Sequence, residues 1–296
     1  MSDTREDKNN VFTQDQTAQQ REVVPNAPNV KPDPNNWAKE LGLEIPVETV
    51  PLPSMGKVYP VSSTLHNRET VEIKSMTAKE EDILTSKALI KNGTVITKLL
   101  QSCLVDKSVN VSSMLSGDRN AIMVGVRITG YGSSYKTTVS CPTCSENQEH
   151  DFQLSQMPLK TLDIDPVSAG TNEFSVLLPK TKANVHFKFL TGKDEEEITM
   201  TSNRKKKAKI LSDSLVTTRL QHSILSVNGR TDRTLISKFV TNMPAIDSLF
   251  LREYIDKNEP GIDMSAEIVC SNPDCGELSE VSVPMGVSFF WPNAKS

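Results

Sequence analysis

Two short segments, Cys141-Pro142-Thr143-Cys144 and Cys270-Ser271-Asn272-Pro273-Asp274-Cys275, predict how distant parts of this chain meet. Each segment stands between two runs of strand-forming residues, which are Lys136–Ser140 and Asp151–Leu154 for the first, and Glu267–Val269 and Val281–Val283 for the second. Each cysteine pair is therefore expected at the tip of a β-hairpin. Thiolates with two or four residues between them can bind one tetrahedral zinc ion from the same side.

The candidate metal ligands are four of the five cysteines, namely Cys141, Cys144, Cys270 and Cys275. Four thiolates complete a tetrahedral site with no open position for chemistry, so the pattern predicts structural Zn²⁺. Free thiols would not explain why the cysteines fall in tight pairs with prolines between them. Disulfides need an oxidising compartment, and Met1–Glu6 carries no apolar export signal. The nearest histidine, His150, is an alternative ligand.

The spacing between the two pairs differs from that of an ordinary zinc ribbon. Ribbons separate their knuckles by about 15–20 residues, whereas 125 residues run from Ser145 to Val269 here. Three blocks of the sequence match later blocks in the same order, which are 70–79 with 184–193, 98–104 with 219–225, and 118–141 with 247–270. The sequence thus predicts an α+β fold built from an internally duplicated module of β-hairpin, amphipathic helices and zinc-knuckle hairpin. The zinc-ribbon-like site would join the two halves.

Four segments follow from this interpretation. Residues 1–36 are rich in Asp, Asn, Gln and Pro and are predicted to be a disordered tail. Residues 37–60 combine a short helix with a proline-rich arm, which three prolines should keep extended and which Leu52, Val58 and Tyr59 should pin. Residues 61–170 form the first repeat and residues 171–296 the second.

Helix signals recur in both predicted repeats. Thr77 and Glu80 form a capping box that begins a helix to about Lys91. Thr191 and Asp194 form the same arrangement at the start of a helix in the second repeat. Further elements are expected at Val95–Leu104, Asp118–Arg127, Leu215–Leu225 and Ala245–Tyr254, with a hairpin of Phe174–Leu178 and Val185–Leu190. The basic run Arg204–Lys207 suits the negative end of a helix better than a nucleic-acid site. Cys103 lies opposite Ile224 in the repeat and is expected to be a small buried hydrophobe.

Aromatic side chains in the arm and near the C-terminus are the candidate partner-binding residues. They are Trp37, Tyr59, Phe289, Phe290 and Trp291. The short helix at Trp37–Leu41 and the C-terminal segment could each dock on the body of the protein or on a partner.

Composition and motifs argue against several functional classes. The formal charge of −4 and the acidic knuckles, with Glu146, Glu149 and Asp151 in the first and Asp274 and Glu280 in the second, disfavour nucleic acid. No apolar stretch is long enough for a membrane span. No nucleotide, hydrolase or metalloprotease motif appears, so neither an enzyme nor a small-molecule substrate is expected. The alternative function is a zinc-ribbon accessory factor that binds nucleic acid.

The sequence resembles a known family at Leu52–Tyr59, Met76–Ser86, Gly117–Ile122 and Cys141–Cys144. From about residue 45 to 290 it is similar to the baseplate hub and hub-assembly proteins of T-even-type contractile-tailed bacteriophages. The resemblance implies a non-catalytic virion protein that is made in the host cytoplasm and binds other baseplate and hub proteins. It assigns no role to residues 1–36.

Overall fold

A central helix, Ser116–Tyr131, organises the packing of this protein. In the computed structural model, which describes residues 41–43, 46–207 and 215–290, nine of its sixteen residues are buried. It packs against the strands Val47–Pro51 and Thr70–Lys74 on one side and against the C-terminal 3-10 turn Val287–Phe290 on another. The described residues from 46 onwards belong to one compact unit.

The described residues form both helices and strands, which confirms the α+β class. The helices are α1 Ala78–Thr85, α2 Lys87–Asn92, α3 Val95–Cys103, α4 Ser116–Tyr131, α5 Gly192–Lys207, α6 Leu215–Ser223, α7 Arg233–Asn242 and α8 Ala245–Asn258. The strands are β1 Val47–Pro51, β2 Thr70–Lys74, β3 Ser134–Ser140, β4 Asn147–Gln153, β5 Leu159–Lys160, β6 Phe174–Leu177, β7 Asn184–Phe187, β8 Ile224–Val227, β9 Gly261–Ile262, β10 Ser265–Val269 and β11 Leu278–Ser282.

The described strands form small antiparallel sheets. Four of these are pairs, β1–β2, β3–β4, β5–β9 and β10–β11, and the fifth has the order β6–β7–β8. None of the helices in the described ranges combines the length and the apolarity that a membrane crossing requires.

Both predicted capping boxes are present. The Thr77 amide donates to Glu80 Oε2 at 3.0 Å, and the Thr191 amide donates to Asp194 Oδ2 at 2.9 Å. The predicted helix to Lys91, however, is interrupted at Ser86, which has an extended backbone. Serine favours the start of a helix over its interior, and Ser86 begins α2 through its carbonyl, which accepts from Ile90.

One other expectation about secondary structure was wrong, and one helix was not expected. The helix expected at Leu215–Leu225 ends at Ser223, because Ile224–Val227 instead pairs as β8 with β7. Helix α7 was missed altogether, although Asp232 caps it by accepting from the amides of Thr234 and Leu235.

The proline-rich arm is extended only as far as Pro51. Beyond it the chain forms consecutive turns, because the Ser54 amide and hydroxyl both donate to the buried Asp118. Gly56 has φ 70°, and a Cβ there would lie 2.3 Å from the Arg68 backbone nitrogen. Leu52 is buried, as expected, and so are Val58 and Tyr59.

The N-terminal predictions fall largely outside the described residues. These are the disordered tail at 1–36 and the helix beginning at Trp37, of which only Leu41 is described and lies in a turn. Trp291 also lies outside the described residues.

Candidate metal centre

The first cysteine pair lies at the tip of the β3–β4 hairpin, as the sequence predicted. The strands pair from Ser134↔Gln153 to Ser140↔Asn147. The Cys141 amide donates to the Glu146 carbonyl at 2.8 Å, and the Ser145 amide donates to the Cys141 carbonyl at 2.9 Å. These bonds fold the four residues between Cys141 and Glu146 into a tight loop that turns both thiols to one side.

The second pair lies at the tip of the β10–β11 hairpin in a similar loop. The Cys270 amide donates to the Glu277 carbonyl at 2.9 Å, and the amides of Cys275 and Gly276 both donate to the Asn272 carbonyl at 3.0 Å. Gly276 has φ 55°, a left-handed conformation that glycine adopts readily. In both tips the first cysteine bonds to a glutamate two residues beyond the second cysteine.

The four sulfur atoms come together between the two hairpins. All four Sγ atoms lie within 4.8 Å of one another, with Cys141 to Cys275 at 4.0 Å and Cys144 to Cys270 at 3.5 Å. A tetrahedral ion with bonds of about 2.3 Å to sulfur would separate the sulfurs by about 3.8 Å, whereas a disulfide would require about 2.05 Å. The cysteines are free thiols, and the cluster is suited to binding a metal ion.

The protein environment already stabilises a thiolate in this cluster. The Cys144 amide donates to the Cys141 sulfur and lowers the pKa of the Cys141 thiol to about 6. At Cys270 the Asn272 amide has the same effect, but burial and the other sulfurs outweigh it and raise the pKa of that thiol to about 12. Four sulfurs this close cannot all be ionised without a cation among them, and a metal ion would displace the remaining protons.

Hydrogen bonds also cross from one hairpin to the other. Gln148 Nε2 donates to the Val269 carbonyl at 3.4 Å, and the Ser271 amide donates to Gln148 Oε1 at 2.6 Å. At the opposite end of the hairpins the Tyr135 hydroxyl donates to the Pro284 carbonyl at 3.1 Å. Sequence reasoning missed Gln148, since a glutamine in a strand carries no signal for a contact 121 residues away.

The fifth cysteine and the nearest histidine do not belong to the cluster. Cys103 is buried in α3, which confirms its interpretation as a buried residue, and burial raises the pKa of its thiol to about 12. His150 lies in β4 against the ring of Phe152, with a centroid distance of 5.9 Å, and is not among the grouped ligands.

Three of the five candidate partner-binding side chains are buried in the body. The Tyr59 hydroxyl donates to Asp118 Oδ2 at 2.5 Å and accepts from the Leu115 amide at 3.0 Å. Phe289 and Phe290 are fully buried, and the ring of Phe289 lies 4.9 Å from that of Tyr135. The C-terminal segment therefore docks on the body up to Phe290. A partner contact of these three side chains stays a prediction and would require their release.

The outward surface of the second hairpin is acidic and apolar. Glu267 lies directly opposite Glu280, and Val269 lies opposite Leu278, with all four side chains exposed. On the first hairpin Glu149 is exposed in β4, the strand that follows the cysteine loop. These surfaces are unfavourable for a phosphate backbone.

Comparison with known proteins adds one finding. A family model described as T4 bacteriophage base plate protein matches residues 48–291. No curated protein and no solved structure matches the chain. The matched region begins at β1 and includes both cysteine hairpins.

Proposed function

The chain belongs to the T4 bacteriophage base plate protein family, and from this we propose that it is a non-catalytic structural or assembly component of the baseplate hub of a contractile tail. The family supports a structural protein of the virion tail that contacts other tail proteins. Assembly in the host cytoplasm, and the hub as its particular location, are parts of this proposal.

We also propose that the four cysteines bind one structural Zn²⁺. The observation that carries this proposal is the four-sulfur cluster, because its separations bracket those of a tetrahedral tetrathiolate site. Zinc would add the cross-link between two hairpins that the chain places 125 residues apart. A site with four protein ligands keeps no position for a substrate, so its role would be structural.

Elemental analysis of the purified full-length protein tests the zinc site. We expect about one zinc ion per chain, since one tetrahedral site takes four thiolates. Cys141→Ser and Cys270→Ser should lose the metal, whereas the matched variant Cys103→Ala should retain it because Cys103 lies outside the cluster. Fresh protein purified without chelators and free of zinc would contradict the proposal.

We further propose that the fold is an internal duplication, in which residues 61–170 and 171–296 carry the two repeats and the arm at Leu52 and Ser54 bonds to the first. Two backbone hydrogen bonds that occupy corresponding positions in the two repeats support this. The Leu52 amide donates to the Glu69 carbonyl, and the Leu178 amide, 126 residues later, donates to the carbonyl of Ala183, which follows Glu69 by 114.

The helices that follow these paired strands support the same correspondence. Asp118 and Asp247, which are 129 residues apart, both lie in the first turn of a helix that precedes a cysteine hairpin. Asp118 accepts from the Ser54 amide at 2.9 Å, and Asp247 accepts from the Lys180 amide at 2.7 Å, with Lys180 again 126 residues after Ser54. One cysteine pair would then come from each repeat, and the metal would join the repeats.

The proposed partners are other baseplate and hub proteins, and not nucleic acid. Trp37 and Trp291 remain candidate anchors, because aromatic residues often dominate binding energy at interfaces. The acidic pair Glu267 and Glu280 supports the exclusion of nucleic acid.

Co-expression with the other tail proteins, followed by affinity purification and size exclusion, tests the hub proposal. We expect a defined complex, and mass spectrometry of purified tails will report whether the chain stays in the virion. A chain that elutes alone in every combination, while tails assemble without it, would contradict a hub role. Filter binding of DNA and RNA at low salt tests the zinc-ribbon alternative, and retention there would favour it.

A further inference from the structure

The two cysteine hairpins meet without sharing a sheet. Among the described residues, β3 pairs only with β4 and β10 only with β11. The alignment of the four sulfurs therefore depends on side-chain contacts between the hairpins. Tyr135 supplies one of these at the end far from the sulfurs, and Gln148 supplies the contact near them.

The Gln148 side chain holds the backbone on both sides of one metal ligand. Its Oε1 accepts from the Ser271 amide at 2.6 Å and its Nε2 donates to the Val269 carbonyl at 3.4 Å, so these two bonds flank Cys270. Gln148 is itself only 6% exposed, whereas its two partners, Val269 and Ser271, lie at the surface. We infer that Gln148 is a positioning residue of the metal centre, which fixes Cys270 of one hairpin against the thiols of the other.

The chemistry of the two backbone groups explains why a glutamine is required. The Ser271 N–H can only donate and the Val269 carbonyl can only accept, so the side chain between them must offer one acceptor and one donor on a single planar group. A glutamate has nearly the same shape but two acceptors, and its carboxylate would face the Val269 carbonyl. A methionine has a similar length and satisfies neither group.

This inference rests on the proposed metal binding and predicts a measurable effect on it. Groups that orient metal ligands typically change metal affinity by about 10–100-fold when they are removed. We expect Gln148→Met and Gln148→Glu to weaken zinc binding by a factor in this range. The orientation of the Cys270 thiolate should change as well, and with it the ligand field of a bound ion.

The experiment uses the full-length protein with zinc removed, under anaerobic conditions. Wild type, Gln148→Met, Gln148→Glu and the control Gln153→Met are titrated with Co²⁺, and zinc affinity is then measured by competition with a chromogenic chelator. Gln153 is an exposed glutamine of the same strand whose side chain bonds to Ser133 and not to the second hairpin. The expected result is weaker zinc binding and altered visible cobalt bands in both Gln148 variants, with the control like wild type, and the metal-free melting temperature is recorded for all four.

Two results separate this inference from the proposed zinc site. If wild type binds zinc and both Gln148 variants bind it equally well with the wild-type cobalt spectrum, the positioning role is refuted and the zinc site stands. A lower metal-free melting temperature with unchanged affinity also refutes it, because Gln148 would then be purely structural. If wild type binds neither ion, the metal centre itself is refuted and the inference falls with it. Gln148→Glu preserves the side-chain shape and carries the test if Gln148→Met fails to fold.

Discussion

At the scale of single residues, the surroundings of Cys103 differ from those of the four clustered cysteines. Cys103 is fully buried in a helix, and desolvation raises the pKa of its thiol to about 12. Cys144 is exposed at the edge of the sulfur cluster. The thiolate is the reactive form of cysteine, so Cys103 should be inert in the folded protein.

Alkylation of the native protein should report this difference. With metal bound we expect little modification by iodoacetamide, and after chelation we expect up to four added groups, on Cys141, Cys144, Cys270 and Cys275. Intact mass and peptide mapping provide the measurement. Modification of Cys103 before the others, in folded protein, would contradict its assignment to the core.

Two aspartates in equivalent helix positions should differ in their importance for stability. Asp118 is fully buried and accepts from the Ser54 amide, the Ser54 hydroxyl and the Tyr59 hydroxyl, all of them buried. Asp247 is buried to the same extent, but it accepts from the amides of Lys180 and Thr181, whose loop is exposed to water. Because buried donors left unsatisfied cost more than hydrated ones, we expect Asp118→Ala to lower the free energy of unfolding by about 3 kcal/mol and Asp247→Ala by about 1 kcal/mol. Urea denaturation measures both, and equal losses would be the contrary result.

The sequence predicted some of these residues but not their partners. The start of α4 could be predicted from Asp118, since carboxylates favour helix N-termini. That Asp118 binds Ser54 and Tyr59 was not readable, because no local pattern relates a turn in the arm to a helix more than 50 residues later. Gln148 was missed for the same reason.

At the scale of elements, the capping box of α1 is also a buried polar network. Glu80 is fully buried and accepts from the Thr77 amide at 3.0 Å and from the Ser102 hydroxyl at 2.5 Å. Burial opposes its ionisation, but the hydrogen bonds from Ser102 and Thr77 and the charge of Lys74 outweigh burial and lower the pKa of Glu80 to about 2. The ionised carboxylate therefore joins α1 to α3.

This shift predicts a loss of stability in acid. The folded protein binds the Glu80 proton near pH 2 and the unfolded chain near pH 4.5, so the contribution of Glu80 is complete above about pH 5 and is lost as the pH falls towards 2. Glu80→Gln should be less stable than wild type by about 1–2 kcal/mol at pH 7, and the gap should narrow at pH 3. Thermal unfolding by circular dichroism at both pH values measures this, and a gap that stays constant with pH would contradict it.

The sequence predicted helices and strands well where clear turn or cap residues mark their ends. The two cysteine hairpins and both capping boxes are present because their turn and cap residues act over a few positions. The end of α6 was misplaced because Ile224 pairs with Phe187 in β7, a tertiary contact that overrides helix propensity. The arm departs from the extended conformation that its prolines predict for a similar reason, since Ser54 donates to the distant Asp118 from a turn.

At the scale of the whole molecule, the count of cysteines predicted a meeting of distant segments, and the four sulfurs do meet. The aromatic residues proposed as partner contacts were harder to place from sequence. Phe289 and Phe290 are as apolar as any docking anchor, and only the fold reveals that they fill the core of this chain. The sequence alone does not show whether such an aromatic side chain will be buried in the core or exposed to a partner.

The N-terminal tail should contribute little to stability. Residues 1–30 are polar and lack the apolar periodicity that would allow burial. Deleting them should leave the melting temperature within about 2 °C of the full-length value. Differential scanning calorimetry of both proteins is the measurement, and a loss of several degrees would show that the tail packs on the body.

The burial of the C-terminal segment determines when this protein can finish folding during its synthesis. Arg127, within the central helix, donates to the Phe289 carbonyl at 3.0 Å, and the Phe289 ring packs on Tyr135 of the first hairpin. Domains generally fold from the N-terminus as the ribosome delivers them, but here the central helix needs a core residue that is translated 162 residues after Arg127. The core of the nascent polypeptide can therefore close only after Phe289 has been translated, and a chain that stops before Phe289 would lack its contacts with Arg127 and Tyr135.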